Sequence, residues 1–309
     1  MRAVVQVQAG GCGGRLHGME AEILITARMG KTTAAHETAG RWRRPAAAGA
    51  GTAYVLGVGS YTPVLMELAS ACGYAIAGLY HYAPGRTGDE VHGCRILGTF
   101  EELLAEDLSG RNFVLSMGDA DIRLELAERI LRRGGTLPSL IHPQSVVSAY
   151  AAVSAEGVYI NPYCVIQSEV SIERLSMLEP GAAVAHGCRI GAGCFMAAGA
   201  VIGAGTLIEE RVFVGQSATS IAHKVGRIGA CAYIAAGALL TREVPPGVLM
   251  IGAPARISDR PPAPLCTLSC TCVPGLPVTG LHPGMCCCGT GYPSTAAGHA
   301  LQLRQQPHA

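Results

Sequence analysis

The feature that most constrains the fold is an apolar residue at every sixth position. The series continues through eight successive positions: Ile172, Leu178, Val184, Ile190, Met196, Ile202, Ile208 and Val214. A period of six fits neither an α-helix nor a single strand, but three hexapeptides form one triangular coil of three short parallel strands. The pattern therefore predicts a left-handed parallel β-helix of about five coils, stacked about 4.8 Å apart.

The positions around this series agree with a coil. Small residues stand two places before the apolar ones, where a triangular coil turns its corners: Ser176, Ala182, Cys188, Cys194, Ala200, Thr206 and Val212. The 41 glycines and an aromatic content of only 5% also suit a backbone that turns at short intervals. We interpret the scattered cysteines of the repeat as small buried apolar residues.

Two irregularities interrupt the period. An earlier set, Val147, Val153, Tyr159 and Val165, precedes the main series and predicts a one-residue slip after Val165. Val214 and Ile228 are separated by fourteen residues instead of twelve. We therefore expect a small loop at residues 216–226 that bulges from the coil.

The part of the chain before the repeat has a different pattern. A short apolar strand at residues 53–56 leads into the turn Gly57-Val58-Gly59 and a helix, and apolar stretches follow at residues 75–79 and 113–117. This order predicts a small βαβ unit of Rossmann type. Thr62 takes the place of the third glycine of a dinucleotide-binding turn, so the turn fits either a tight connection or a phosphate-binding site.

These patterns divide the chain into four zones. We predict a disordered extension at residues 1–51, a Rossmann-like substrate-binding domain at 52–140, a left-handed β-helix domain at 141–257 and a Pro/Cys-rich low-complexity tail at 258–309. Six of the 13 cysteines lie in that tail, but none of them forms a Cys-x-x-Cys pair, so we predict no metal site.

Charge and hydropathy narrow the functional classes. The net charge of +1 provides no field to attract nucleic acid, and no apolar run approaches the roughly 18 residues of a membrane span. We expect a cytoplasmic protein, although the Arg/Lys-rich first 50 residues also fit organelle targeting.

One histidine stands where packing does not require it. His186 follows the inward Val184 by two residues, so its side chain should point away from the coil. β-Helices of this kind associate through flat faces as homotrimers, and the grooves between subunits are natural sites for chemistry. We therefore take His186 as the candidate catalytic residue.

Several motifs together carry a resemblance to a known family. Ile141-His142-Pro143, the segment 184–191 around His186, and the closing motifs at 244–247 and 252–256 resemble the sugar acetyltransferases of the PglD/NeuD type. The resemblance extends from Ala53 to Ile257. It implies a hexapeptide-repeat acyltransferase that transfers an acetyl group from acetyl-CoA to an amino or hydroxyl group of a sugar or nucleotide-sugar.

The resemblance also assigns roles to residues. It makes His186 the general base, which suits an imidazole because it titrates near neutral pH. It places cofactor contacts at Phe195, Gln216, Ala236 and Gly237. It places the acceptor at Gly59, Ser60, Tyr61, His81, Tyr82 and Gly118.

Some positions differ from the family pattern, and other hypotheses stay open. Ala185 and Gly187 stand where acidic residues commonly flank the base, and Phe195 replaces a second histidine. A catalytically inactive β-helix trimer that serves as a binding or scaffold protein is the main alternative. A metal enzyme would instead require His142, His186 and His223 to converge on one site.

Overall fold

The computed structural model describes residues 51–259. The predicted extension at 1–51 and the predicted tail at 258–309 lie outside this range except at their inner ends. Gly51 already begins the first strand, and the last strand ends at Ser258.

Residues 51–132 form a sheet with helices. Its elements are β1 (Gly51–Leu56), α1 (Thr62–Ala71), β2 (Tyr74–His81), β3 (Glu90–Val91), β4 (Cys94–Thr99), α2 (Phe100–Ala105), β5 (Asn112–Leu115) and α3 (Ala120–Arg132). The strand order is β3-β4-β2-β1-β5. Strands β4, β2, β1 and β5 are parallel, and β3 pairs with β4 in the antiparallel direction.

Local hydrogen bonds explain where two of these helices begin. The Thr99 hydroxyl accepts a bond from the Glu102 amide while the Glu102 carboxylate accepts one from the Thr99 amide, which is a capping box at the start of α2. The Asp119 carboxylate accepts bonds from the amides of Asp121 and Ile122 at the start of α3.

The rest of the described chain is a parallel β-helix. Its short strands are β6 (Leu140–Ile141), β7 (Val146–Val147), β8 (Ala152–Val153), β9 (Tyr159–Ile160), β10 (Val165–Ile166), β11 (Ser171–Ile172), β12 (Met177–Leu178), β13 (Ala183–Val184), β14 (Arg189–Ile190), β15 (Phe195–Met196), β16 (Val201–Ile202), β17 (Leu207–Ile208), β18 (Phe213–Val214), β19 (Thr219–Ser220), β20 (Arg227–Ile228), β21 (Tyr233–Ile234) and β22 (Leu239–Leu240). Two longer strands, β23 (Leu249–Ile251) and β24 (Arg256–Ser258), close it as an antiparallel pair.

Every third strand joins the same sheet, so the coil has three faces. The first face contains β6, β9, β12, β15, β18, β21, β23 and β24; the second contains β7, β10, β13, β16, β19 and β22; the third contains β8, β11, β14, β17 and β20. We call the turns from first to second, second to third and third to first face the first, second and third corners. Because the coil begins at Leu140, the second face has six strands and the helix has about six coils, one more than predicted.

The six-residue series forms the core of the coil, as predicted. All eight of its residues are at most 2% exposed, and so are the small residues two places before them. Some of those small residues also satisfy corner carbonyls, as when the Ser176 hydroxyl donates to the Gly191 oxygen over 2.8 Å. Gly203 shows how closely the coils approach, since a Cβ there would lie 2.4 Å from the Ala222 nitrogen.

The predicted slip is in the wrong place. The inward residues are Val147, Val153, Ile160 and Ile166, so the extra residue lies between Val153 and Ile160. Tyr159 points out of the coil and is buried because it packs with Val55 and Val114 of the N-terminal sheet. Its hydroxyl accepts a hydrogen bond of 2.9 Å from the Leu115 amide of β5. Val165 also points outward and is 40% exposed.

The predicted loop at 216–226 is smaller than expected. Thr219–Ser220 keeps its place between β16 and β22, so Gln216 belongs to an ordinary corner. The two additional residues lie between β19 and β20, at the second corner after His223.

Helix α3 holds the N-terminal sheet against the third corner of the coil. Arg123 of α3 is fully buried, and its guanidinium donates to the carbonyl oxygens of Leu175 over 3.1 Å and Gly193 over 3.0 Å in successive corners. The same group donates to the oxygens of Met117 and Gly118 in the turn after β5. One cation therefore connects this turn to two coils.

Candidate functional site

His186 lies at the second corner of the coil, between β13 and β14. Its side chain is exposed, as predicted from its position two residues after the inward Val184. Its backbone amide donates to the Gln167 side-chain oxygen over 3.0 Å, and its carbonyl accepts from the Gly205 amide over 3.0 Å. These bonds to the coils on either side fix the backbone that carries the imidazole. Nothing lies within 4 Å of where a Cβ on Gly187 would stand, so space beside the imidazole is open.

His223 accompanies His186 at the same corner, which the sequence analysis missed. The two ring centroids are 6.1 Å apart. His223 lies two coils further along, and the corner of the coil between them contains Gly205, where a Cβ would lie 3.6 Å from Nδ1 of His223. Their spacing of 37 residues, close to twice the 18-residue coil, is the signal that would have predicted this proximity.

The described residues do not support the three-histidine metal hypothesis within one chain. His142 lies at the first corner of the first coil, where its Nδ1 accepts a bond from the Gln144 amide over 3.1 Å, and burial lowers its pKa. Between residues 51 and 259, no group of three or more His, Cys, Asp or Glu side chains is arranged to hold a metal ion.

Three of the four predicted cofactor contacts lie together. Gln216 and Ala236-Gly237 occupy the first corner in successive coils, where the Gly237 amide donates to the Gln216 carbonyl over 2.8 Å. Phe195 lies on the first face, where its ring stacks on Phe213 at 5.4 Å. The second face separates all of these residues from His186 within one chain.

An aromatic ladder continues along the first face. Phe213 stacks in turn on Tyr233, with ring centroids 4.5 Å apart. The ladder begins where the N-terminal sheet stops covering the face, since the outward residues before Phe195, Tyr159 and Met177, are fully buried.

The predicted acceptor residues meet at one edge of the N-terminal sheet. Gly59, Ser60 and Tyr61 follow β1. His81 ends β2 and Tyr82 follows it, and Gly118 follows β5. Since β2, β1 and β5 are adjacent and parallel, their carboxyl ends lie side by side, where open α/β sheets commonly bind ligands. The turns are joined by the Ser116 hydroxyl, which donates to the Gly57 oxygen over 2.9 Å.

Electrostatics at this edge favour a neutral imidazole. His81 is 5% exposed, its Nδ1 accepts a bond of 3.0 Å from the Ala83 amide, and its ring lies 4.2 Å from that of Tyr82. Burial, followed by the positive charge of Arg86, lowers the pKa of His81. His81 therefore presents a hydrogen-bonding side chain without charge at neutral pH.

Two of the predicted acceptor residues are tied to the coil. The Gly118 carbonyl accepts a hydrogen bond from Arg123, whose guanidinium also donates to the coil. The Tyr61 hydroxyl bonds to Glu179 and Asn161 of the first corner. The sequence analysis singled out neither Glu179 nor Asn161, although their separation of 18 residues, one full coil, marks them as neighbours.

The third face has a groove of its own. It encloses about 280 Å³ and is lined by Ser171, Glu173, Arg189, Leu207 and Glu209, among others. None of the predicted site residues lines it, and Glu209 is already paired with Arg227 over 2.6 Å.

Comparison with known proteins decides the family. The chain is 30% identical over 216 residues to the GDP-perosamine N-acetyltransferase of Escherichia coli O157:H7, which covers 67% of this chain and 96% of that protein. The chain belongs to the PglD/NeuD-type sugar acetyltransferases. The family predicted from the sequence motifs is thereby confirmed. No family model matches the chain.

Solved structures of the family agree with this assignment. PerB from Caulobacter crescentus, determined in complex with CoA and GDP-perosamine, is 30% identical with a TM-score of 0.59 and covers 67% of this chain and 97% of its own. The acetyltransferase domain of PglB from Neisseria gonorrhoeae is 28% identical with a TM-score of 0.61 and covers 67% and 99%. The structural neighbours are β-helix acetyltransferases, in agreement with the parallel sheets of the coil. Residues 51–259 contain no helix with the length and apolar character of a membrane span.

Proposed function

We propose that this protein is an acyl-CoA-dependent N-acyltransferase that transfers an acetyl group from acetyl-CoA to the amino group of a nucleotide-linked sugar. The observation that carries the proposal is its match to nearly the full length of GDP-perosamine N-acetyltransferase and of PerB, which was crystallised with CoA and GDP-perosamine. We further propose that the N-terminal sheet is a Rossmann-like acceptor-binding domain, that the coil is left-handed and that the protein acts in the cytoplasm.

The proposed chemistry is a direct transfer. The acceptor nitrogen attacks the thioester carbonyl, a C–N bond forms, the C–S bond breaks and the CoA thiolate leaves. His186 accepts the proton that the nitrogen loses, and can return it to the thiolate. Corner amides are suitable donors for the oxyanion that forms in between. The exposed imidazole and the open space at Gly187 leave room for both substrates.

The positions of the predicted cofactor contacts and of His186 favour a site shared between two chains. Within one chain, the first-corner contacts Gln216 and Gly237 are separated from His186 by the second face. We propose that Phe195, Gln216, Ala236 and Gly237 contact acetyl-CoA next to His186 of a second copy. The acceptor would be held by Gly59, Ser60, Tyr61, His81, Tyr82 and Gly118.

Transfer activity is the first test. With acetyl-CoA and GDP-perosamine, we expect CoA thiol release that depends on the acceptor, and no release with a GDP-sugar that carries a hydroxyl in place of the amino group. A calorimetric titration with acetyl-CoA should show binding at the same time. Binding without turnover on a panel of amino-sugar nucleotides would favour the scaffold hypothesis, which the absence of a carboxylate at positions 185 and 187 keeps open.

Assembly is the second test. The outward residues Val146, Val165 and Val201 form a stripe on the second face and are 63%, 40% and 40% exposed. This stripe is continuous through Ala183, which lies between Val165 and Val201. An exposed apolar stripe favours burial against another subunit, and the flat face that carries it suits close packing about a three-fold axis. We expect sedimentation at micromolar concentration to give a trimer. A stable monomer would contradict both the assembly and the shared site.

A further inference from the structure

Three polar side chains meet where the turn after β1 touches the coil. The Tyr61 hydroxyl donates a hydrogen bond to the Glu179 carboxylate. The Asn161 side-chain amide donates to the Tyr61 oxygen over 3.1 Å and to the same Glu179 oxygen over 3.2 Å. We call these three residues the junction cluster.

The repeat itself creates the coil half of the junction cluster. Asn161 and Glu179 directly follow β9 and β12, so they occupy equivalent positions at the first corner in successive coils. Asn161 is only 1% exposed, and its side chain is held further by a bond of 3.3 Å to the Leu178 carbonyl. Glu179 thus lies on a support that the stacking of coils makes rigid.

The sheet half of the junction cluster belongs to the proposed acceptor site. Tyr61 is the N-cap residue of α1, and it ends the turn that contains Gly59 and Ser60. The same turn is closed by bonds between Gly59 and Thr62, of which the Gly59 amide donates to the Thr62 hydroxyl over 2.9 Å. Tyr61 therefore links this turn to the first corner of the coil.

Burial makes the junction cluster sensitive to the loss of any member. Burial raises the pKa of Glu179, and burial together with the nearby Glu179 charge raises the pKa of Tyr61. The phenol consequently keeps its proton at neutral pH and donates a hydrogen bond to the carboxylate. A hydrogen bond to a charged, partly buried acceptor is among the stronger ones in proteins.

We infer that Glu179 is a positioning residue for the acceptor: through Tyr61 it holds the turn 59–61 at a set distance from the coil. This inference rests on the proposed function, because the turn matters for catalysis only if it binds the acceptor. Glu179 itself need not touch either substrate. Its effect should appear in the acceptor KM and leave the acetyl-CoA KM unaltered.

The test compares Glu179→Leu, Glu179→Gln, Tyr61→Phe and the Tyr61→Phe/Glu179→Leu pair. Glu179→Leu should raise the acceptor KM about tenfold, the size of one such bond, with acetyl-CoA KM unchanged within about twofold. Glu179→Gln keeps an oxygen acceptor for the Tyr61 hydroxyl, so its acceptor KM should stay close to the wild-type value. Because both side chains act through one contact, the double variant should be no worse than Glu179→Leu. Glu173→Leu, an exposed position of the coil, is the matched control.

Hydrogen exchange separates this inference from the proposed function. The amides of Gly59 and Thr62 are bonded within the turn, and they should exchange faster in Glu179→Leu and not in Glu173→Leu. If the wild type transfers acetyl groups but Glu179→Leu has an unchanged acceptor KM, the inference is wrong and the function stands. If the wild type transfers nothing, the function is wrong, and unchanged exchange at the turn would then overturn the inference as well.

Discussion

Replacing His186 with alanine should lower the rate of acetyl transfer by about 10²- to 10⁴-fold, the range observed when a general base is lost. The acceptor nitrogen must lose a proton as it attacks the thioester. His186 is an exposed imidazole of the second corner, and the backbone that carries it is bonded to Gln167 on one side and to Gly205 on the other. The measurement is the steady-state rate of CoA thiol release at saturating acetyl-CoA and acceptor.

Binding of acetyl-CoA by His186→Ala should be nearly unchanged, because the proposed cofactor contacts lie at the first corner and on the first face. His223→Ala is the control variant for His186→Ala. His223 lies 6.1 Å from His186 and is not the proposed base, so its loss should cost far less than that of His186. Equal losses in the two variants, or a wild-type rate of transfer in His186→Ala, would refute the assignment.

Replacing Arg123 with methionine should destabilise the protein by about 3 kcal/mol or more. The guanidinium donates to four carbonyl oxygens, and each buried carbonyl left without a donor costs about 1–3 kcal/mol. The side chain is fully buried, and burial lowers its pKa. These carbonyl dipoles and the nearby Asp119 carboxylate offset its charge, and methionine cannot donate to the carbonyls. Urea unfolding, followed by circular dichroism, gives the free energy.

Arg174→Met provides the matched comparison. Arg174 also joins α3 to the coil, through Glu128 at 2.5 Å and Glu156 at 2.7 Å, but these side chains are about one third to one half exposed. Exposed ion pairs contribute about 1 kcal/mol or less. If the two substitutions destabilise the protein equally, the carbonyl bonds of Arg123 are not the source of its contribution.

The core of the coil could be predicted from the sequence because its period leaves little choice. Inward residues such as Ile190 and Met196 repeat at every sixth position and are buried. The first coils were harder to place, since Tyr159 looks like a core residue and is buried, yet it packs on the sheet and not inside the coil. Burial against a second domain carries no periodic signal.

The candidate site was predictable only in part, for a related reason. The carboxyl ends of β1, β2 and β5 come together by topology, so Gly59, His81 and Gly118 could be grouped in advance. The proximity of His223 to His186 required the exact length of the intervening coils, and the two extra residues were assigned to a larger loop than the one that exists. The contact of Tyr61 with Glu179 depends on how the sheet docks, which no local pattern specifies.

The position of those two extra residues has an evolutionary consequence. They lengthen the second corner after His223, yet β19 pairs in register with β22, and β20 with β17, on the two sides of the lengthened corner. A stack in which each coil bonds only to its neighbours tolerates such an insertion without disturbing the core. Residues can therefore be gained or lost beside His186 and His223 at little energetic cost. Families built on this coil can diversify the surroundings of the imidazole by insertion and deletion, while the stack that supports it stays the same.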